Sequence, residues 1–143
     1  MYKLRPRQSP PKVQSLQATG SRITNMDKLQ SYVGRLTSHA SRCGGTVKLT
    51  GEQRNGLASV LSSSCSQCGD CIHFETSRKV KGPSGYKLWE SNLAAVWGQM
   101  TTGSDHNHLQ GTMSVLGVPV MSKWSFIQTE REIGELWENE MQP

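Results

Sequence analysis

The residues best placed to do chemistry in this chain are four cysteines: Cys43, Cys65, Cys68 and Cys71. Cys65-Ser-Gln-Cys68-Gly-Asp-Cys71 sets two C-x2-C steps end to end, sharing Cys68. A C-x2-C knuckle lets two thiolates hold one metal ion while the amide N–H groups of the turn bond to the sulfurs. Four donors in a tetrahedron then close a structural zinc site. Cys43 is the natural third donor, because Gly44-Gly45 lets the chain fold tightly beside it. The fourth donor is His39 or Cys71. A His39-x3-Cys43 pair can chelate one ion across a helix end, whereas Cys71 would have to curl back over the knuckle. His39 is therefore preferred. The expected cofactor is one structural Zn²⁺ on His39, Cys43, Cys65 and Cys68, with Cys71 the alternative fourth ligand. The competing reading is four buried free thiols. Disulfides fit poorly with a chain that shows no secretory leader.

Little else in the sequence is arranged for catalysis. Asp105-His106-Asn107-His108 invites a metal or acid–base reading, but histidines two apart do not share a helical face, and Asp105 explains itself as a helix N-cap. No serine sits in a G-x-S-x-G frame, and no phosphate-binding or dinucleotide-binding loop occurs. The expectation is a protein that is not an enzyme and has no small-molecule substrate.

The elements that must hold the cysteines can be read from periodicity. Met26, Leu29, Tyr32 or Val33, and Leu36 recur at helical spacing, with Thr24 or Asn25 as cap, which predicts a helix over 26–37. From 43 to 81 the glycines come close together, and three short runs (46–50, 57–61 and 72–76) lie between turns, which predicts a meander of two or three strands. So small a sheet needs a staple. From Leu88 the helical period returns. Trp89, Leu93, Val96 or Trp97, and Met100 form one stripe. Leu109, Met113 and Leu116 form a second, behind Asp105. Phe126, Ile133, Trp137 and Met141 form a third, behind Ser122 or Ser125. The expected fold class is α+β: a small zinc-ribbon-like β unit preceded by one helix and followed by a three-helix unit. The expected organisation is a disordered basic arm over 1–22, a helix plus zinc-ribbon-like unit over 23–82, and a helix-turn-helix-like unit over 83–143.

The 143 residues carry a net charge of +5, and its distribution is uneven. Lys3, Arg5, Arg7, Lys12 and Arg22 are the only charged residues among the first 24, and the remainder balances 11 basic against 11 acidic residues. A second acid-free stretch holds Arg78, Lys79, Lys81 and Lys87, while Glu130, Glu132, Glu135, Glu138 and Glu140 make the far end acidic. Basic arms of this kind suit phosphate backbones. No run is long and apolar enough to span a membrane. These features point to a reducing compartment and, with nucleic acid as partner, to the nucleus.

Several blocks, in order, resemble the Mutator-like transposases, which are widespread in animal genomes as transposon-derived genes. They are Cys43-Gly44-Gly45, Arg54-Asn55-Gly56-Leu57-Ala58-Ser59, Cys65-Ser66-Gln67-Cys68, Asn92 to Val96, Met100 with Gly103, Leu116 to Pro119 with Met121, Ser125-Phe126 with Glu130, and Ile133 to Trp137. The resemblance runs from about Ile23 to Gln142. It implies a zinc-binding, helical part of a DNA transposase, of the kind that precedes a ribonuclease-H-like catalytic domain, with the chain ending before that domain. The family pattern often has a cysteine three residues before Cys43, where this chain has Ala40, which again directs attention to His39.

The function expected from the sequence is thus a zinc-stabilised DNA-binding module. Arg5, Arg7, Arg78, Lys79 and Lys81 would meet phosphates, and Lys123 and Arg131 on the last helix would face a groove. The alternative is a protein-interaction or homo-oligomerisation module, in which the four tryptophans and several methionines form an exposed apolar face.

Overall fold

The computed structural model describes residues 18–141. Arg5 and Arg7 lie outside them. The order of elements is α1 (Met26–Arg42), β1 (Val47–Asn55), β2 (Ala58–Cys65), β3 (Cys71–Glu75), β4 (Lys79–Lys81), β5 (Lys87–Trp89), α2 (Glu90–Thr102), α3 (His106–Val115) and α4 (Lys123–Glu140). The fold is α+β, as the sequence predicts, with an antiparallel β1-β2-β3 sheet and a separate antiparallel β4-β5 ribbon. No helix among the described residues is long and apolar enough to cross a membrane.

Helix α1 starts where the Asn25 side chain accepts from the N–H groups of Asp27 and Lys28. It runs to Arg42, five residues beyond the predicted end. The apolar stripe stops at Leu36, but its spacing continues to His39, which is buried, and to the C-cap residue Cys43. Tyr32, not Val33, is the inward residue of the stripe. Its ring stacks on Phe74 of β3 at 4.8 Å and its hydroxyl bonds Ser63 at 2.7 Å, while Val33 is 51% exposed.

Strand β1 also outruns its prediction, passing through Gly51 to Asn55. A β-bulge between Leu49 and Gly51 absorbs one residue, which lets the strand continue past the glycine. The β1–β2 loop is two residues long, and Gly56 takes φ 67° at its first position, where a tight hairpin needs a left-handed residue. The ribbon β4-β5 has no counterpart in the expected elements. Its strands are three residues each, too short for alternation to register.

In the helical half, Asp105 and Ser122 cap α3 and α4 with side-chain bonds to the N–H groups of His108 and Ser125. Val96, Leu109, Val118, Met121, Phe126 and Ile133 form the core, joined by Leu57 from the β1–β2 loop. Leu93, Met100 and Met113 pack against it half-buried, whereas Leu116 is 56% exposed, Trp137 40% and Met141 77%. Gly117 at φ 66° ends α3 early, so Val118 and Met121 from the following loop fill the space instead.

Candidate metal centre

The donor atoms of His39, Cys43, Cys65 and Cys68 all lie within 4.8 Å of one another. Each arrives from a different piece of local structure. His39 comes from the last turn of α1, where its backbone carbonyl also receives the Cys43 N–H at 2.8 Å. Cys65 ends β2, and Cys68 sits on the turn closed by the Cys65 N–H to the Asp70 carbonyl at 3.0 Å and the Gly69 N–H to the Cys65 carbonyl at 3.2 Å. Gly69 holds φ 73° within that turn. Gly45 matters for a different reason. A Cβ there would lie 2.4 Å from the Cys65 sulfur and 2.7 Å from the Gln67 Cβ. Only a bare backbone lets the Cys43 segment approach the knuckle.

Two of the separations have the size of tetrahedral edges. Cys43 Sγ and Cys65 Sγ are 3.8 Å apart, and Cys68 Sγ is 3.7 Å from His39 Nε2. A zinc ion with Zn–S of about 2.3 Å and Zn–N of about 2.0 Å places neighbouring donors about 3.6–3.8 Å apart. The residues therefore fit the group. With His39 Nε2 turned to the sulfurs, Nδ1 faces the Asp70 carboxylate at 3.9 Å, the place of the outer-shell carboxylate that orients a ligating imidazole. Sequence reasoning did not assign Asp70 this position. No spacing links Asp70 to His39, 31 residues earlier in the chain; only the return of α1 over the knuckle brings them together.

The electrostatics favour one thiolate before any metal arrives. The backbone N–H groups of Cys68 and Gln67, together with His39, draw the Cys65 thiol down to about 6. Cys68 moves the other way, to about 11: the Asp70 N–H favours its thiolate, but desolvation and the neighbouring Cys65 and Cys43 sulfurs outweigh it. A divalent cation removes that conflict between crowded sulfurs.

Cys71 stands outside the cluster. It opens β3 opposite Ser64, is exposed, and its thiol points to the Gly69 carbonyl at 4.0 Å. His106 is a core residue, its Nε2 2.8 Å from the Met121 carbonyl and its ring edge-on to Phe126, and His108 bonds its own helix cap, Asp105.

The described basic residues singled out in the sequence differ in their surroundings. Arg78 is ion-paired with Asp27, and Lys79 reaches Glu75 at 3.1 Å with its ammonium over the Trp89 ring at 4.5 Å. Lys81 is exposed on the ribbon. Lys123 opens α4 and Arg131 lies exposed in its middle. Arg22, counted with the basic arm, instead forks onto Glu52 at 2.6 and 2.7 Å.

Fold and site together define an α+β protein in which a helix end and a strand–turn knuckle present one histidine and three cysteines to a common point. The family model described as Mutator-like transposase matches residues 20–143, and the chain belongs to that family. No curated protein and no solved structure gives a significant match to the chain.

Proposed function

We propose that the chain acts as a zinc-stabilised DNA-binding module of a Mutator-like transposase or a domesticated derivative, working in the nucleus. The observation that carries the zinc is the donor cluster, whose 3.7 and 3.8 Å separations suit a tetrahedral ion. Three cysteines and a histidine close the coordination shell, so the ion would brace the fold and leave no position for water or substrate. DNA is the partner the family favours, and the charge distribution agrees with it. The contacts would be Arg5 and Arg7 on the arm, Lys81 at the ribbon, and Lys123 and Arg131 on α4; of the basic residues expected to meet phosphates, Arg78 and Lys79 are instead engaged by Asp27 and Glu75. Elemental analysis should return one zinc per chain. Duplex-DNA affinity should fall steeply between about 50 and 200 mM salt. Metal-loaded protein whose binding ignores salt would sink the DNA reading while leaving the zinc reading intact.

One observation favours the protein-interaction alternative. Val80, Leu93, Ala94, Trp97, Ile133 and Leu136 line an apolar groove of about 300 Å³ between α2 and α4. Concentration-dependent self-association that salt does not weaken would support that reading over DNA binding.

A further inference from the structure

The ribbon β4-β5 brings two lysines into direct opposition. Its register pairs Lys79 with Trp89, Val80 with Leu88 and Lys81 with Lys87. Alternation puts Lys79, Lys81, Lys87 and Trp89 on one face and Val80 and Leu88 on the other. The apolar face is held: Val80 lines the α2–α4 groove, and Glu132 of α4 accepts bonds from the Ser84 backbone and hydroxyl at the tip. The basic face is open. Lys81 and Lys87 are both exposed, and among the described residues neither makes an ion pair, whereas Arg78 and Lys79 have Asp27 and Glu75. Residues paired directly across antiparallel strands have Cβ atoms about 5 Å apart, where like charges destabilise a sheet. The repulsion disappears if an anion sits between them.

Resting on the DNA-binding reading, we propose that this ribbon is the phosphate grip of the module: Lys81 and Lys87 hold one phosphate of a DNA strand between them. Arg78 and Lys79 then serve the fold, and the contact belongs to the far end of the ribbon. The opposed ammonium groups suit one phosphate's several oxygens.

The test is fluorescence anisotropy on the full metal-loaded chain with a random-sequence DNA duplex, paired with thermal unfolding without DNA. K81Q and K87Q should each raise the melting temperature, because repulsion is relieved, and each should weaken binding. Those opposite signs are what a merely structural lysine would not give. The double variant should flatten the slope of log affinity against log salt by about 0.9, one phosphate's worth, which is about eightfold in affinity at 0.1 M salt. R78Q and K79Q should leave the slope as it was. A double lysine variant that binds with the wild-type slope overturns the grip while the DNA reading stands. Variants that lose stability and affinity together also overturn it. Wild-type protein with no salt-dependent DNA binding overturns the DNA reading itself, and the grip with it.

Discussion

The two halves of this molecule hide different kinds of atoms. From α1 to Ser77 the buried polar residues are His39, Ser59, Ser63, Thr76 and Ser77, and the buried apolar ones, besides Leu57 which joins the helical core, are Ala58, Cys65 and Phe74. From α2 to α4 the interior is Val96, Leu109, Val118, Met121, Phe126 and Ile133, with His106 and Thr129 the buried polar residues. The first half is organised by directed bonds: the four-donor cluster, the Tyr32–Ser63 bond, the Ser59 N–H to the Thr76 hydroxyl at 2.8 Å and the Arg22–Glu52 fork. The second half is organised by non-directional apolar burial. A directed network is lost when one partner goes, because the remaining groups are left unpaired; an apolar core loses stability in proportion to the atoms removed.

The metal gives the largest expected contrast. Chelation, or Cys68→Ser, should remove a contribution on the order of 10 kcal/mol, the scale of structural zinc in small domains. Amide exchange should then speed up across β1–β3 while α2–α4 stay protected. Simultaneous loss of protection everywhere would break the comparison by showing one cooperative unit. His39→Ala should weaken metal binding more than Cys71→Ser; the reverse order would reassign the fourth ligand.

Phe126→Ala probes the other half. It should cost about 3–5 kcal/mol, as large-to-small changes in a packed core do. Zinc stoichiometry should stay at one per chain, and a loss of metal in this variant would contradict the separation of the two stabilising mechanisms.

Asn92 sharpens the boundary between the halves. It sits on α2, yet its side chain accepts from the Leu57 N–H at 2.8 Å and donates to the Asn55 carbonyl at 2.9 Å, fastening the β1–β2 loop to the helices. Asn92→Ala should cost about 2–3 kcal/mol, since two backbone groups lose their partner. Thermal unfolding followed separately by tryptophan fluorescence and metal release should then show midpoints further apart than in the wild type.

The smallest effect is a pH dependence. The Arg22 guanidinium lowers the Glu52 carboxyl to about 2, with burial opposing and the Ser59 hydroxyl assisting. A depressed folded value means that the stabilisation is complete above the unfolded carboxyl range near pH 4.5 and drains away as pH falls towards 2. Its size should be about 1.5 kcal/mol. Denaturant midpoints of wild type and Glu52→Gln, compared at each pH in the same metal state, should converge over that window. Midpoints that stay parallel would show that the fork does not carry the shift.

What the sequence by itself determined was local. The Cys65–Cys68 knuckle, the Gly44-Gly45 approach, the Asn55-Gly56 turn and the caps at Asn25, Asp105 and Ser122 each depend on residues a few positions apart, so spacing alone reveals them. Tertiary structure decided whatever needed two distant segments to meet. His39 stands with the three cysteines because α1 ends above the knuckle, while Cys71 is carried away by its pairing with Ser64. Tyr32 is chosen over Val33 by the position of Phe74. Trp137 and Met141 share the helical period of Ile133, yet Trp137 is only half covered, its ring edge-on to Trp97 of α2, and Met141 at the helix end is exposed. A periodic pattern states which side of a helix is apolar; only the packed neighbours state how far along it that side is covered.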